Sequence, residues 1–357
     1  MNFFARLRKS WRIKSCLLIF FLFCCAFSTL SAWNGQIQFS PYLDSNVGES
    51  LTKNPDPTYG LKFRGGVNGQ VSRSQWRLHT DLLAQTFLDG KFKEESKWVA
   101  NMESGFQYAL LRKLYLTGQL THFQKMFYSQ ERSYRWTEYS THLQVSPAGN
   151  LMIWIGYVLK STVFRPRETI RFYERNREIR GRYTFNPWLY LEGVATSGSI
   201  GYENNPAWGV EDDTSLVPLG FDQEDEFTMG LIHLRYQGKA ICGIEVGFES
   251  VNSNSIIGKF DLVIFRVYLT ARLGKSNFSH FVLQRVGKDY RYPAIEGISD
   301  FRDPEERIQN RTYLQLERKL REDTMGFIQF SLLKNETILN QKYYDKTMVE
   351  FGIKYEL

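Results

Sequence analysis

The chain offers few residues for acid–base or nucleophilic chemistry. It has five histidines, His79, His122, His142, His233 and His280. His79 stands two residues before Asp81, so on an extended strand both point to one side, as a base and its orienting acid would. No serine nucleophile can be placed beside them, and two polar residues wetting one face of a strand account for the pair without chemistry. No group of His, Cys, Asp and Glu has the spacing of a metal site. The sequence therefore points to no enzyme, no cofactor and no metal.

Fixed charge is more informative. Tyr202 to Asp225 carries Glu203, Glu211, Asp212, Asp213, Asp222, Glu224 and Asp225, with no Lys or Arg. The stretch before it carries Arg165, Arg167, Arg171, Arg175, Arg177, Arg180 and Arg182. Opposed rows of charge across a narrow, partly desolvated passage would focus a field on a passing solute. The same charges on open loops would only bind divalent cations or charged neighbours. Which of the two holds depends on the elements that carry them.

Those elements alternate with period two. Tyr59, Leu61, Phe63, Gly65, Val67, Gly69 and Val71 share one face, and Gly60, Lys62, Arg64, Gly66, Asn68, Gln70 and Ser72 share the other. A helix would scatter these residues around its circumference, so the pattern predicts a strand with one apolar and one polar side. Trp76 to Ala84, Trp98 to Leu110, Leu151 to Leu159, Cys242 to Phe248, Val263 to Leu273, Gly326 to Leu332 and Val349 to Leu357 repeat it. The registers near 167–185 and 276–290 are weaker. Short breaks at Arg73, Leu111–Arg112, Pro147–Asn150, Asn186–Pro187, Gln237–Lys239, Gly274–Lys275 and Arg321–Thr324 alternate with longer polar ones. The longer breaks include Arg165–Asn176 and Tyr202–Asp225. Seven short turns and eight long loops join sixteen strands; fourteen follow if one weak hairpin is a folded loop. Only Pro41 of the ten prolines falls in a predicted strand, consistent with proline's missing N–H donor.

The N-terminus reads as an export signal. Arg6, Arg8, Lys9, Arg12 and Lys14 precede an apolar run from Cys16 to Leu30, which ends in Ser31-Ala32. A basic segment, a short apolar core and small residues at the cut make a secretory leader, and the run is short for a spanning helix. Residues 1–32 are thus expected to be a cleaved signal peptide and 33–357 the mature domain. The formal net charge of +7 falls to +2 once those five basic residues leave, so the basic pI implies no nucleic-acid partner. Three of the four cysteines leave as well, and Cys242 alone cannot form an intrachain disulfide.

The chain ends in Glu350-Phe351-Gly352-Ile353-Lys354-Tyr355-Glu356-Leu357. This resembles the β-signal of Gram-negative outer-membrane proteins, with Glu350, Gly352, Tyr355 and Leu357 at the matching positions. Leu357 stands where that class usually carries Phe. The resemblance implies export through the Sec pathway, insertion by the barrel-assembly machinery, and surroundings of outer-membrane lipid and lipopolysaccharide. It covers the mature chain as a pattern class, not as one family. The fold it implies is all-β: an antiparallel transmembrane β-barrel of about sixteen strands with its tight turns in the periplasm. An aromatic content of 15% fits the girdles of such a barrel.

A barrel of that size is wide enough for a water-filled lumen. The predicted inward charges are Lys62, Arg64, Arg77, Arg180, Arg182, Arg266 and Arg272, with Arg311, Lys319 and Lys354. They face Asp81, Glu103, Glu192, Glu245, Glu317, Glu350 and Glu356. A porin-like channel for small polar or anionic solutes is the main expectation, with a constriction made by Arg180 and Arg182 opposite the acidic 202–225 loop, as in general porins. Pairing of these charges along the wall would leave little selectivity. The alternative is a structural or export barrel that conducts little. An oligomer of identical chains is open in either case.

Overall fold

The computed structural model describes residues 32–44, 56–71, 74–87, 96–128, 133–164, 171–211, 215–256, 259–290, 310–335 and 344–356. The predicted leader up to Ser31 and the terminal Leu357 lie outside them. So do the side chains of Lys62 and Arg64, although their strand is described.

The alternating segments form sixteen strands. They are β1 Ala32–Asp44, β2 Asp56–Val71, β3 Ser74–Phe87, β4 Lys97–Leu111, β5 Leu114–Phe127, β6 Tyr134–Ala148, β7 Leu151–Phe164 and β8 Arg171–Asn186. There follow β9 Leu189–Glu211, β10 Ser215–Gln237, β11 Ala240–Ser253, β12 Phe260–Leu273, β13 Asn277–Tyr290, β14 Asn310–Lys319, β15 Thr324–Asn335 and β16 Tyr344–Glu356. Each pairs antiparallel with its sequence neighbours, and β1 pairs with β16, so one sheet closes on itself as a barrel. Closure matters because an open edge would leave a row of N–H and C=O groups unpaired, which hydrocarbon cannot satisfy.

Register fixes which side chains face out. Ile155, Ile179, Ala195, Gly230, Phe248 and Val263 stand directly opposite one another across β7 to β12. The large members of this row are more than half exposed, Ile155 at 56%, Ile179 at 56%, Phe248 at 56% and Val263 at 57%. In the alternate phase Arg182, Glu192, His233, Glu245, Arg266, Gln284 and Arg311 form a continuous inward row across β8 to β14. A soluble protein buries its apolar face; this one presents it outward and keeps the polar face inside. Cys242 lies on the outer face as a free thiol.

Two stretches differ from the sequence reading. Arg165–Asn176 is expected as a long connection, yet β8 already begins at Arg171, because the alternating run Arg171 to Thr184 pairs without a break against β9. Tyr202–Asp225, expected as a loop, is the extension of β9 and β10 into a long hairpin, 23 residues on each side. Pro206 and Pro218 hide it in the sequence. They sit where the register slips, between Pro218, Asp222 and Glu224, and the bend uses positive φ at Asn204 (59°) and Gly220 (71°). Proline is tolerated at such irregularities, where the ladder does not require its N–H.

The closing seam has its own fastening. Gln38 of β1 donates to Glu350 of β16 at 3.1 Å. Ser40 stands opposite Gly352 in the register set by Phe39↔Ile353 and Tyr42↔Glu350. The end of β16 is held by the turn before β15: the Glu356 N–H donates to the Asp323 carbonyl at 2.8 Å. The Thr324 hydroxyl, first, and then Tyr355 hold the Asp323 carboxyl below the ordinary carboxylate range.

Candidate functional site

The inner wall encloses a polar cavity of about 820 Å³ against β3 to β8. Arg77, Gln107, Glu138, His142, Glu178 and Arg180 are among its lining residues. They come from different strands and converge because each occupies the inward phase of its alternation. Glu178 is the hub: its carboxylate lies 3.2 Å from His142 Nε2 and 3.2 Å from the Arg180 guanidinium. Lys160 and Glu174 pair at 3.3 Å four residues further along β7 and β8.

Several other lumen charges are also paired along the wall. Arg182 binds Glu192 at 2.6 Å, and its guanidinium lies over the Tyr190 ring at 4.6 Å. Glu317 holds His280 at 3.3 Å and also binds the Lys354 ammonium. His233 Nε2 and the Tyr268 hydroxyl share a hydrogen bond of 2.8 Å. Arg266 is inward and opposite Glu245. Arg272 sits at the turn end, donating to the carbonyls of Gly274 and Lys275 at 2.9 and 2.6 Å, so it fastens the β12–β13 turn. Lys62 and Arg64 stand opposite Gln38 and Gln36 of β1 in the register of β2. His79 and Asp81 do meet, at 3.2 Å.

Among the described residues the expected face-off between arginines and the acidic segment is not formed as the sequence suggested; Arg165, Arg167, Asp212 and Asp213 lie outside them. Strand parity splits the arginine run: Arg180 and Arg182 are inward, whereas Arg171, Arg175 and Arg177 share the outward phase with Ile179. Glu203 stands opposite Arg171, nine residues along β8 from Arg180, which is roughly 30 Å at the usual rise per residue. The hairpin is tied to the end of β11 instead. The Trp208 N–H donates to Ser255 Oγ at 3.0 Å, the Glu224 N–H to Asn254 Oδ1 at 2.8 Å, and Asn254 Nδ2 to the Asp222 carbonyl at 3.1 Å.

The sequence reading missed an aromatic layer on the inner wall toward the long connections. Phe123 stacks on Trp136 with ring centroids 5.5 Å apart and on Tyr134 at 5.7 Å. The contacts continue through Tyr134–Phe164, Phe164–Phe172 and Phe172–Tyr202 at 5.9, 6.0 and 5.6 Å. Phe172, Ile200, Tyr202, Phe227, Val251, Phe260, Leu262 and Val286 then form a buried cluster spanning β8 to β13. Lys125 lies over Phe127 and Tyr134, and Lys160 over Trp136, at cation–π distances. The Tyr202 hydroxyl donates to buried Asp225 at 2.8 Å. The available signal is that these residues are apolar in the inward phase, so both faces of their strands are apolar near that end.

A closed antiparallel barrel, apolar outside and polar within, defines the class: a porin-like transmembrane β-barrel. No family model matches the sequence and the search of curated proteins returned no relative. Solved structures do resemble the chain path. A loop-deletion mutant of OmpT, an outer membrane protein of Vibrio cholerae, aligns with a TM-score of 0.46 at 13% identity, over 91% of this chain and 98% of that one. OccAB3 of Acinetobacter baumannii aligns with a TM-score of 0.47 at 10% identity, over 92% and 100%. A triple mutant of a Rhodopseudomonas blastica porin aligns with a TM-score of 0.40 at 11% identity, over 91% and 99%. Identities of 10 to 13% carry no residue role across.

Proposed function

We propose that this chain is a passive diffusion channel of a Gram-negative outer membrane, taking small polar or anionic solutes. The polar cavity of about 820 Å³ on the inner wall carries the reading. A lumen lined by amides, hydroxyls and paired charges replaces part of a solute's hydration at little cost, without a deep binding well. Because most of the charges are compensated by neighbours, selectivity is weak and rests on small imbalances such as Arg77 and Arg235. The short turns, the start of β1 and the end of β16 face the periplasm, and the long connections face outward.

Protein recovered from the outer-membrane fraction and reconstituted into liposomes should make them swell in small sugars and small organic anions, faster for smaller solutes. Folded protein that leaves swelling at the rate of empty liposomes would overturn the channel reading. One observation favours a second reading, a structural or export barrel with little conductance. Phe172 and Leu262, each 1% exposed, belong to an inner layer that is dry at the far end. Silent liposomes containing folded barrel would support that reading.

A further inference from the structure

The outward face of β8 to β11 interrupts the apolar belt. Arg177, Ser197 and Thr228 stand opposite one another in one outward row, and Arg175, Ser199 and Glu226 in the next row toward the long connections. These six side chains help to line an exterior groove of about 570 Å³. Both arginines are exposed, and neither guanidinium has a partner among the described residues. Across the described residues of β8 and β9 the two guanidiniums meet no carboxylate; the acids lie further along, Glu226 on β10 and Asp261 on β12, where Asp261 accepts from Ser250 at 2.5 Å, so the β8–β9 end of the groove is basic.

Its height decides what it meets. Arg175 lies ten residues along β8 from the exposed Phe185 at the turn end, roughly 33 Å along the strand. At the usual strand tilt that is about 25 Å of height, the full thickness of a barrel's apolar band. Arg175 is therefore at the far interface, and Arg177 reaches it by extending its stem along the surface. Unpaired guanidiniums are costly in hydrocarbon and favourable among phosphates, which they bind through two parallel N–H donors. The hydroxyls of Ser197, Ser199 and Thr228 add donors on the groove floor. Below the groove the outward residues are small: Ala195, then Gly193 opposite Gly181. A side chain at either glycine would meet nothing within 4 Å, so the backbone there lies bare.

We propose that this groove holds the phosphate of a phosphorylated glycolipid of the outer leaflet, with an acyl chain along the bare strip at Gly181 and Gly193. The proposal rests on the outer-membrane reading above. The test uses the full protein in detergent, the variant Arg175→Gln with Arg177→Gln, and native mass spectrometry with three probes: bisphosphorylated lipid A, its phosphate-free form, and inorganic phosphate. The wild type should retain one phosphorylated lipid, and the variant at least tenfold less. Phosphate-free lipid and free phosphate should bind neither. Equal retention by the variant, or of phosphate-free lipid, would overturn the proposal. Equally tight inorganic phosphate would make the groove an anion site only. A variant that loses self-association while keeping lipid would make it an interface between copies. Liposome swelling on the same preparations separates this test from the channel reading: protein that swells liposomes yet binds no lipid overturns the groove alone.

Discussion

Gly352→Val is expected to remove the compact, heat-modifiable form of the barrel almost completely. A Cβ at this position would stand 2.3 Å from the Phe39 carbonyl oxygen and 2.8 Å from the Ser40 Cβ. Real side chains do not approach backbone that closely, so β1 and β16 would have to separate. The seam has little to spare, because Pro41 has no N–H to give and the ladder skips from Phe39 to Tyr42. Overpacking costs about 1–3 kcal/mol in an ordinary core; at a closing seam it also exposes unpaired backbone to lipid, which adds to that cost. The folded fraction, read as the fast-migrating band before boiling, should fall at least tenfold, the equivalent of about 1.4 kcal/mol. Gly181→Val is the control: open space surrounds Gly181, and valine suits an outward strand position, so the folded band should persist. Equal folding of both variants would show that close approach at the seam does not require glycine. The result also bears on the chain-end motif. The sequence marks Gly352 as part of an assembly signal, whereas the seam gives it a role in the finished barrel.

Changing Arg180 and Arg182 together to Ser should turn the pore toward cations. The structure keeps the sign of this expectation but replaces its reason. These guanidiniums do not oppose an acidic loop; they neutralise Glu178 and Glu192 on their own wall, at 3.2 and 2.6 Å. Removing them leaves two inward carboxylates, one of them shared only with His142. The potassium-to-chloride permeability ratio, read from the reversal potential in a salt gradient, should rise by about twofold or more at low salt and less at high salt. Arg175→Ser with Arg177→Ser removes the same formal charge from the outer face and should leave the ratio unchanged. If the inner and outer pairs shift it equally, the inward and outward phases of β8 are wrongly assigned.

That pair of variants shows what the sequence discloses and what it hides. Alternation alone made the strands legible: Tyr59 to Val71, Trp98 to Leu110 and Val263 to Leu273 are all strands of the closed sheet. Parity within β8 was readable in principle, since Ile179 fixes the outward phase and Arg180 the inward one, but a run of arginines reads as one cluster until register separates it. The β9–β10 extension was not legible. Its acids and Pro206 and Pro218 have the composition of a loop, and only the pairing of β9 with β10 shows it to be a hairpin, which Asn254 and Ser255 then tie to the end of β11. The aromatic layer was hidden for another reason. A period-two reading assigns apolar residues to lipid, so Phe172, Tyr202 and Phe227, apolar in the inward phase, are lost in strands apolar on both faces. The Glu178–His142 pair reaches across β7 over Gly156, and Glu317–His280 joins neighbouring strands; both needed the exact register to be seen.

Single-channel recording across a planar bilayer tests the central claim most directly. Purified, folded protein should insert in discrete steps with an ohmic open level and weak ion selectivity, because the inner wall is polar and its charges are largely paired. Folded, heat-modifiable protein that inserts without raising the conductance of the bilayer would contradict the claim.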